Sequence, residues 1–343
     1  MPSFLCETVT NTQGWDMLKF LARRFVNYLT LVFIATSLAY VLASMTFHPE
    51  SHYLGRNPPI PPSTISATLR ERNADPATPV MVRYTRWLGG VVHGDFGKQI
   101  VGEEAVSTEM KRRIGVSLRL LLIGTTLGAV LGVLIGVLGA VRQRKPADVI
   151  GTVGSYVLLA SPTVVIIIVV QTIFVWINQK SGNSGLFPQT GEYNSNLSGL
   201  DFWLDRGRRL IAPTVVLTLL GASFYSRYQR SAMLDVLGSD FLRTARAKGL
   251  TRRQALFKHG VRTALIPMMT FFAFSFGLLL TGAIFTESLF NWNGMGKYLI
   301  ESVQGRDTNA VAAVTCFTAV LVLLSGMLSD VLYAALDPRV RAR

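Results

Sequence analysis

Cysteine and histidine are scarce in this 343-residue chain, and acidic residues are outnumbered by basic ones, 20 to 34. The two cysteines, Cys6 and Cys316, lie far apart in unlike contexts, so neither a disulfide framework nor redox chemistry has support. The four histidines, His48, His52, His93 and His259, all fall in segments read as loops, and His93 has no second His or Cys near it to complete a metal site. A phosphate-binding loop is also missing. Around Gly97-Lys98, Val92 and Gln99 stand where such a loop needs Gly and Ser or Thr, so this chain does not bind nucleotide as a motor. No cluster of His, Asp or Glu sits at membrane depth, which disfavours a polytopic membrane enzyme. No re-entrant, filter-like segment is present either, which disfavours a channel.

What is abundant is apolar sequence. Half the residues are hydrophobic and the mean hydropathy is +0.37, yet the net charge is +14. In a nucleic-acid-binding protein the positive charge would gather on one folded surface. Here it gathers in short loops between apolar runs, as in a multi-pass membrane protein. About 20 residues cross a bilayer as helix, and six runs qualify. They cover 25–45, 116–141, 149–177, 210–226, 267–287 and 310–335. The fold class is therefore an all-α polytopic membrane protein. The first run is too long for the core of a cleaved signal peptide and lacks a small-residue cleavage site. Residues 1–16 are polar and carry no recognisable pattern.

Orientation follows from charge. The segments assigned inside, 1–24, 142–148, 227–262 and 335–343, hold 18 of the 34 Lys and Arg against 6 of the 20 acidic residues. Both termini are thus expected in the cytosol. Residues 46–115 form a long, proline-rich outer loop, although Val80–Ile100 mixes aromatics, glycines and charges as a packed element would.

Several local patterns are informative. Gly124, Gly128, Gly132 and Gly136 recur every four residues in the second span and would line one side of a helix, where another backbone can approach. Arg119 is expected to snorkel to the outer interface, Glu287 to lie at that interface, and Asp330 to be an interfacial or helix-packing residue. Ser161-Pro162 is expected to bend the third span and Pro213 to sit near the first turn of the fourth. Between the fourth and fifth spans, 240–267 is a highly basic segment with a helix, turn, helix pattern. Asp240 at the start and Arg246 and Lys248 at the end of a first short helix suit its dipole. Gly249 falls where a left-handed stop is needed, and Thr251 with Gln254 reads as a capping box for a second helix.

These residues carry a family resemblance. Arg243-Thr244-Ala245, then Gly249-Leu250, then Ile266-Pro267 resemble the coupling loop of ABC importer permeases, in the form found in the B-type subunits of oligopeptide and dipeptide permeases. Arg243 replaces the Glu of the generic motif, and the spacing from Gly249 to Pro267 exceeds the generic one; both departures match the peptide branch. The stretches at 83–97, 185–193 and 291–307 and the Leu336-Asp337-Pro338-Arg339 terminus resemble the same branch, so the likeness runs from Met17 onward.

The resemblance implies a type I ABC importer permease fold. It would comprise a cytoplasmic segment 1–24, a first span 25–45, a long extracytoplasmic loop 46–115, a core 116–335 with the coupling loop at 232–262, and a tail 336–343. It further implies a homologous second permease, a pair of cytosolic ATPases that use ATP and Mg while this chain binds no cofactor, an extracytoplasmic binding lipoprotein, and surrounding lipid. Phe241, Leu242, Ala245 and Ala247 would give apolar contact to the ATPase, Gly249 the reversal, and Arg243, Arg246, Lys248, Arg252 and Arg253 charge complementarity. Oligopeptides or dipeptides are the implied cargo. Nickel, glutathione or a heme-like solute remains the alternative within the same architecture.

Overall fold

The computed structural model describes the backbone of residues 4–54, 57–183 and 185–336, and side chains from Ala22 to Val331 except Thr270 and 273–282 in addition to those gaps. Among them there is no strand, only a single bridge between Lys98 and Ala105. Helix α1 is Phe4–Thr46 and contains the first expected span, but it starts well upstream, inside the stretch that showed no pattern. The outer loop is folded: a 3-10 turn Pro49–His52 precedes α2 (Pro62–Glu71) and α3 (Val80–Val92). Helix α4, Val106–Val141, takes ten further residues from the expected loop, so the core begins before 116.

The third span differs most from expectation. Instead of one bent helix there are two, α5 (Pro146–Ala160) and α6 (Thr163–Lys180), with Ser161 extended at φ −81° and ψ 136° between them. Pro162 clashes with an α-helical conformation at the residue before it, which ends α5 outright. Helix α7 is Gly199–Leu237, so Pro213 lies well inside it, not in the first turn. Then follow α8 (Asp240–Ala247), α9 (Arg252–Ala255), a π-helical stretch Leu256–Val261, and α10 (Arg262–Leu289). Pro267 is interior to α10 and no boundary falls there. Helices α11 (Met295–Gln304) and α12 (Thr308–Leu336) complete the fold, and the tail beyond Leu336 lies outside the described residues.

Among the described residues five helices, in α1, α4, α6, α7 and α12, are long and apolar enough to cross a membrane. The fifth expected span falls on α10, many of whose side chains lie outside the described residues. At 1.5 Å per residue, α4 and α7 are about 54 and 58 Å long. A hydrocarbon core is about 30 Å thick, so both reach well beyond it.

The most extensive helix contact is between α4 and α7; α10 packs on α7, α12 and α4, and α1 lies against α12. The α4–α7 contact depends on missing side chains. A methyl group on Gly132 would come within 2.5 Å of Tyr225 Cβ, one on Gly136 within 2.6 Å of the Ser226 carbonyl, and one on Gly124 within 2.7 Å of Leu217 Cβ. A methyl group on Gly128 would come within 3.1 Å of the Cα of Gly221. Lipid gives no hydrophobic drive for helix association, so this backbone-to-backbone approach and its dispersion contacts hold the pair together.

The outer segment is pinned to the α11–α12 turn. His52 Nε2 lies 2.6 Å from the Gly305 carbonyl, the Ile100 amide donates to Asp307 at 2.6 Å, and Asn309 donates to the Arg72 and Lys98 carbonyls at 2.9 and 3.0 Å. Tyr40 of α1 stacks on Trp87 of α3 with centroids 4.6 Å apart. On the opposite side, Arg24 of α1 pairs with Asp330 of α12 at 3.6 Å.

Gly132→Ala should lower the thermal unfolding midpoint of the detergent-solubilised protein, with a cost of about 1–3 kcal/mol from overpacking. Gly154→Ala, where an added methyl meets nothing within 4 Å, is the control and should not lower it. Equal midpoints for the two variants would refute close packing at Gly132.

Candidate coupling site

The basic segment between α7 and α10 folds as a short hairpin of helices. The end of α8 follows from its sequence. The Gly249 amide donates to the Arg246 carbonyl at 3.0 Å and the Leu250 amide to that of Ala245 at 3.3 Å, and Gly249 has φ +93°. This paired closure satisfies carbonyls that the helix leaves free, and it needs a left-handed residue at Gly249. Thr251 then starts α9 with both halves of a capping box: Gln254 N donates to Thr251 Oγ1 at 3.3 Å, and Thr251 N donates to Gln254 Oε1 at 3.0 Å. From Arg252 the helical chain runs without interruption through the π stretch and α10 to Leu289.

This element has two faces. Asp240, Phe241, Arg243, Thr244, Arg246, Ala247, Lys248, Gly249, Arg252 and Arg253 are exposed, whereas Ala245 and Leu250 are half-buried. Leu242 is buried, and this corrects its assignment to an ATPase contact. Neighbouring helical residues point about 100° apart, which lets Phe241 face outward while Leu242 faces inward. Leu242 turns inward because Gly260 leaves room, with Leu256 and Met233 around the same position. Phe257 is 65 % exposed, an apolar surface residue beside the basic run that the sequence reading missed. Its signal was an aromatic in an otherwise basic run.

Two residues expected at the outer interface are instead integrated into the protein. Glu287 is buried, and its carboxylate accepts from Ser117 Oγ at 2.6 Å and from the Gly296 and Lys297 amides at 2.8 and 3.2 Å. Those amides belong to the first turn of α11, so the carboxylate satisfies free donors there. Arg119 does not snorkel: it donates to Glu192 of the loop between α6 and α7 at 2.5 Å, and Arg206 of α7 pairs with the same carboxylate. At the opposite end of α7, Arg230 grips Asp148 of α5 with two bonds of 2.6 and 2.9 Å, and Arg227 stacks over Tyr156 at 4.4 Å.

Residues 129–342 match the family described as binding-protein-dependent transport system inner membrane component. The chain belongs to that family. It is 48 % identical to the oligopeptide transport system permease protein OppB of Mycobacterium tuberculosis over 327 residues, covering 95 % of this chain and 99 % of the relative. It is 38 % identical to the oligopeptide transport system permease protein AppB of Bacillus subtilis, covering 76 % of this chain and 81 % of the relative. Among solved structures, an inward-facing form of the MetNI methionine ABC transporter matches with a TM-score of 0.52 at 17 % identity, covering 66 % of this chain and 96 % of the other. That match establishes the fold of an ABC importer permease. The protein is a multi-pass membrane permease, and its relatives are transport subunits.

Glu287→Ala should leave three donors without an acceptor, each buried unsatisfied group costing about 1–3 kcal/mol. Backbone amides over 295–300 should then exchange hydrogen faster, and Glu287→Gln, which keeps one strong acceptor oxygen, should restore part of the protection. Unchanged exchange in Glu287→Ala would show that α11 is held by other contacts.

Proposed function

We propose that this chain is the membrane-spanning subunit of an ATP-driven importer that takes up oligopeptides or dipeptides delivered by an extracytoplasmic binding protein. It works beside a homologous second permease, and two cytosolic ATPase subunits hydrolyse ATP with Mg. The chain itself binds no cofactor, and both its termini lie in the cytosol. The reading rests on one observation above the others: a surface-presented, basic two-helix element is continuous with a core helix in a relative of oligopeptide permeases.

The mechanism follows from that continuity. Phe241 and Phe257 offer apolar surface to the ATPase, and Arg243, Arg246, Lys248, Arg252 and Arg253 offer charge. Helix α8 is held against its neighbour by Leu242 and by the closure at Gly249, so it moves as a unit with α9. The run from Arg252 to Leu289 then carries displacement to α10 and, through its packing, to α7, α12 and α4. An ATPase pair that contacts this element differently when open and closed shifts the permease between inward and outward states, because only differential contact can move such an equilibrium.

The direct test is ATP hydrolysis by the reconstituted assembly, with and without peptide-loaded binding protein. Stimulation by peptide is expected. Stimulation only by glutathione or a metal chelate would keep the architecture and change the cargo. Gly249→Val should suppress stimulation and uptake while membrane insertion persists: the added side chain has space, but a left-handed backbone costs it about 1–2 kcal/mol. Phe241→Ala should weaken ATPase association about tenfold, the effect of truncating an aromatic anchor. Wild-type uptake in both variants would refute this coupling site.

A further inference from the structure

Beside the coupling element lies a concavity of about 690 Å³ formed by the α4–α5 turn, the end of α7, α8 and α9. Five basic side chains from three separate segments line it: Arg142 and Lys145 from the turn, Arg243 and Arg246 from α8, and Arg252 from α9. No acidic residue lines it. Arg243 has Asp240 at 3.5 Å, a pair whose members are 77 % and 94 % exposed; no ion pair within 4.0 Å is formed by the other four among the described residues. The floor is apolar, with Val141, Leu234, Leu237, Leu242 and Leu256. Like charges drawn together over an apolar floor repel one another unless an anion joins them.

The surroundings narrow the choice of anion. One turn before the cavity, α4 exposes Leu138, and just after it α5 exposes Val149 and Ile150, at 53 %, 52 % and 72 %. The turn carrying Arg142 and Lys145 therefore joins two helices with outward-facing apolar surface, so acyl chains can lie along the helices while a phosphate reaches the cations. Basic pockets at the cytoplasmic ends of membrane helices suit anionic headgroups in this way. We propose that this concavity binds the phosphate of an anionic inner-leaflet phospholipid, placing a lipid headgroup against the coupling element. The site adjoins the proposed ATPase contact: Arg142 and Lys145 belong to it alone, whereas Arg243, Arg246 and Arg252 lie on the border of the two.

The test uses the assembled transporter in nanodiscs of phosphatidylcholine alone or with added cardiolipin or phosphatidylglycerol. Anionic lipid should raise the thermal midpoint of this chain by about 3 °C, as expected for a ligand that binds only the folded state. The double variant Arg142→Gln, Lys145→Gln should lose at least half of that shift while keeping its midpoint in phosphatidylcholine. Arg144→Gln removes a charge from the same turn outside the lining and should retain the full shift. Native mass spectrometry should find co-purified anionic lipid depleted in the double variant. Pyrophosphate added without anionic lipid distinguishes the sources: an equal shift would assign the phosphate site to a soluble anion and overturn the lipid assignment. Equal effects in the double variant and Arg144→Gln would overturn the site. So would the absence of a lipid effect with weaker ATPase binding in the double variant, which would make the cavity a protein contact. A failed coupling reading would appear instead as normal uptake in the Gly249 and Phe241 variants, whatever the lipid result.

Discussion

The contact between α4 and α7 is the constraint on which the rest of the molecule depends. Four glycines on one side of α4 let its backbone lie directly against α7, and at Gly128 the meeting atoms are glycine on both helices. Close approach multiplies weak dispersion contacts, which is the main attraction available between helices in lipid. Once α4 and α7 are paired, their ends define where everything else attaches. Glu192 bridges Arg119 and Arg206 at one end, and Asp148 is gripped by Arg230 at the other. Helices α5 and α10 then pack against this pair, α12 packs on α10, and α1 lies against α12.

The two ends of the core are stiffened by different means. At one end, polar networks converge on short turns: Glu287 caps α11, and Asp307 and Asn309 tie the segment before α4 to the start of α12. At the other, the stiffness is helical, since α9, the π stretch and α10 form one continuous run. A π-helical turn often marks a functional position within a helix, and here it lies between the presented surface and the membrane.

Much of the candidate site was legible in the sequence because it is local. The Gly249 stop, the Thr251 box and the glycine spacing each depend on residues no more than a few positions apart, and the structure shows a left-handed Gly249 and both capping bonds. Pro162 was recognised as a disturbance, but its strength was underestimated: an extended Ser161 separates two helices. Helix ends were the weak point. Apolar content marks the part of a helix inside lipid, whereas α4 and α7 continue as amphipathic helices beyond it, where composition gives no edge.

By itself the sequence determined that the chain is helical, crosses the membrane repeatedly and gathers its basic residues in short loops, because run length and charge placement are one-dimensional properties. Only the tertiary structure decided which polar side chains are buried and with whom. Ser117 meets Glu287, Arg119 meets Glu192 and Arg230 meets Asp148 across long stretches of chain that no spacing rule connects. It also decided that Leu242 turns inward while Phe241 stays out, since the space beside Gly260 lies on the face that Leu242, not Phe241, presents.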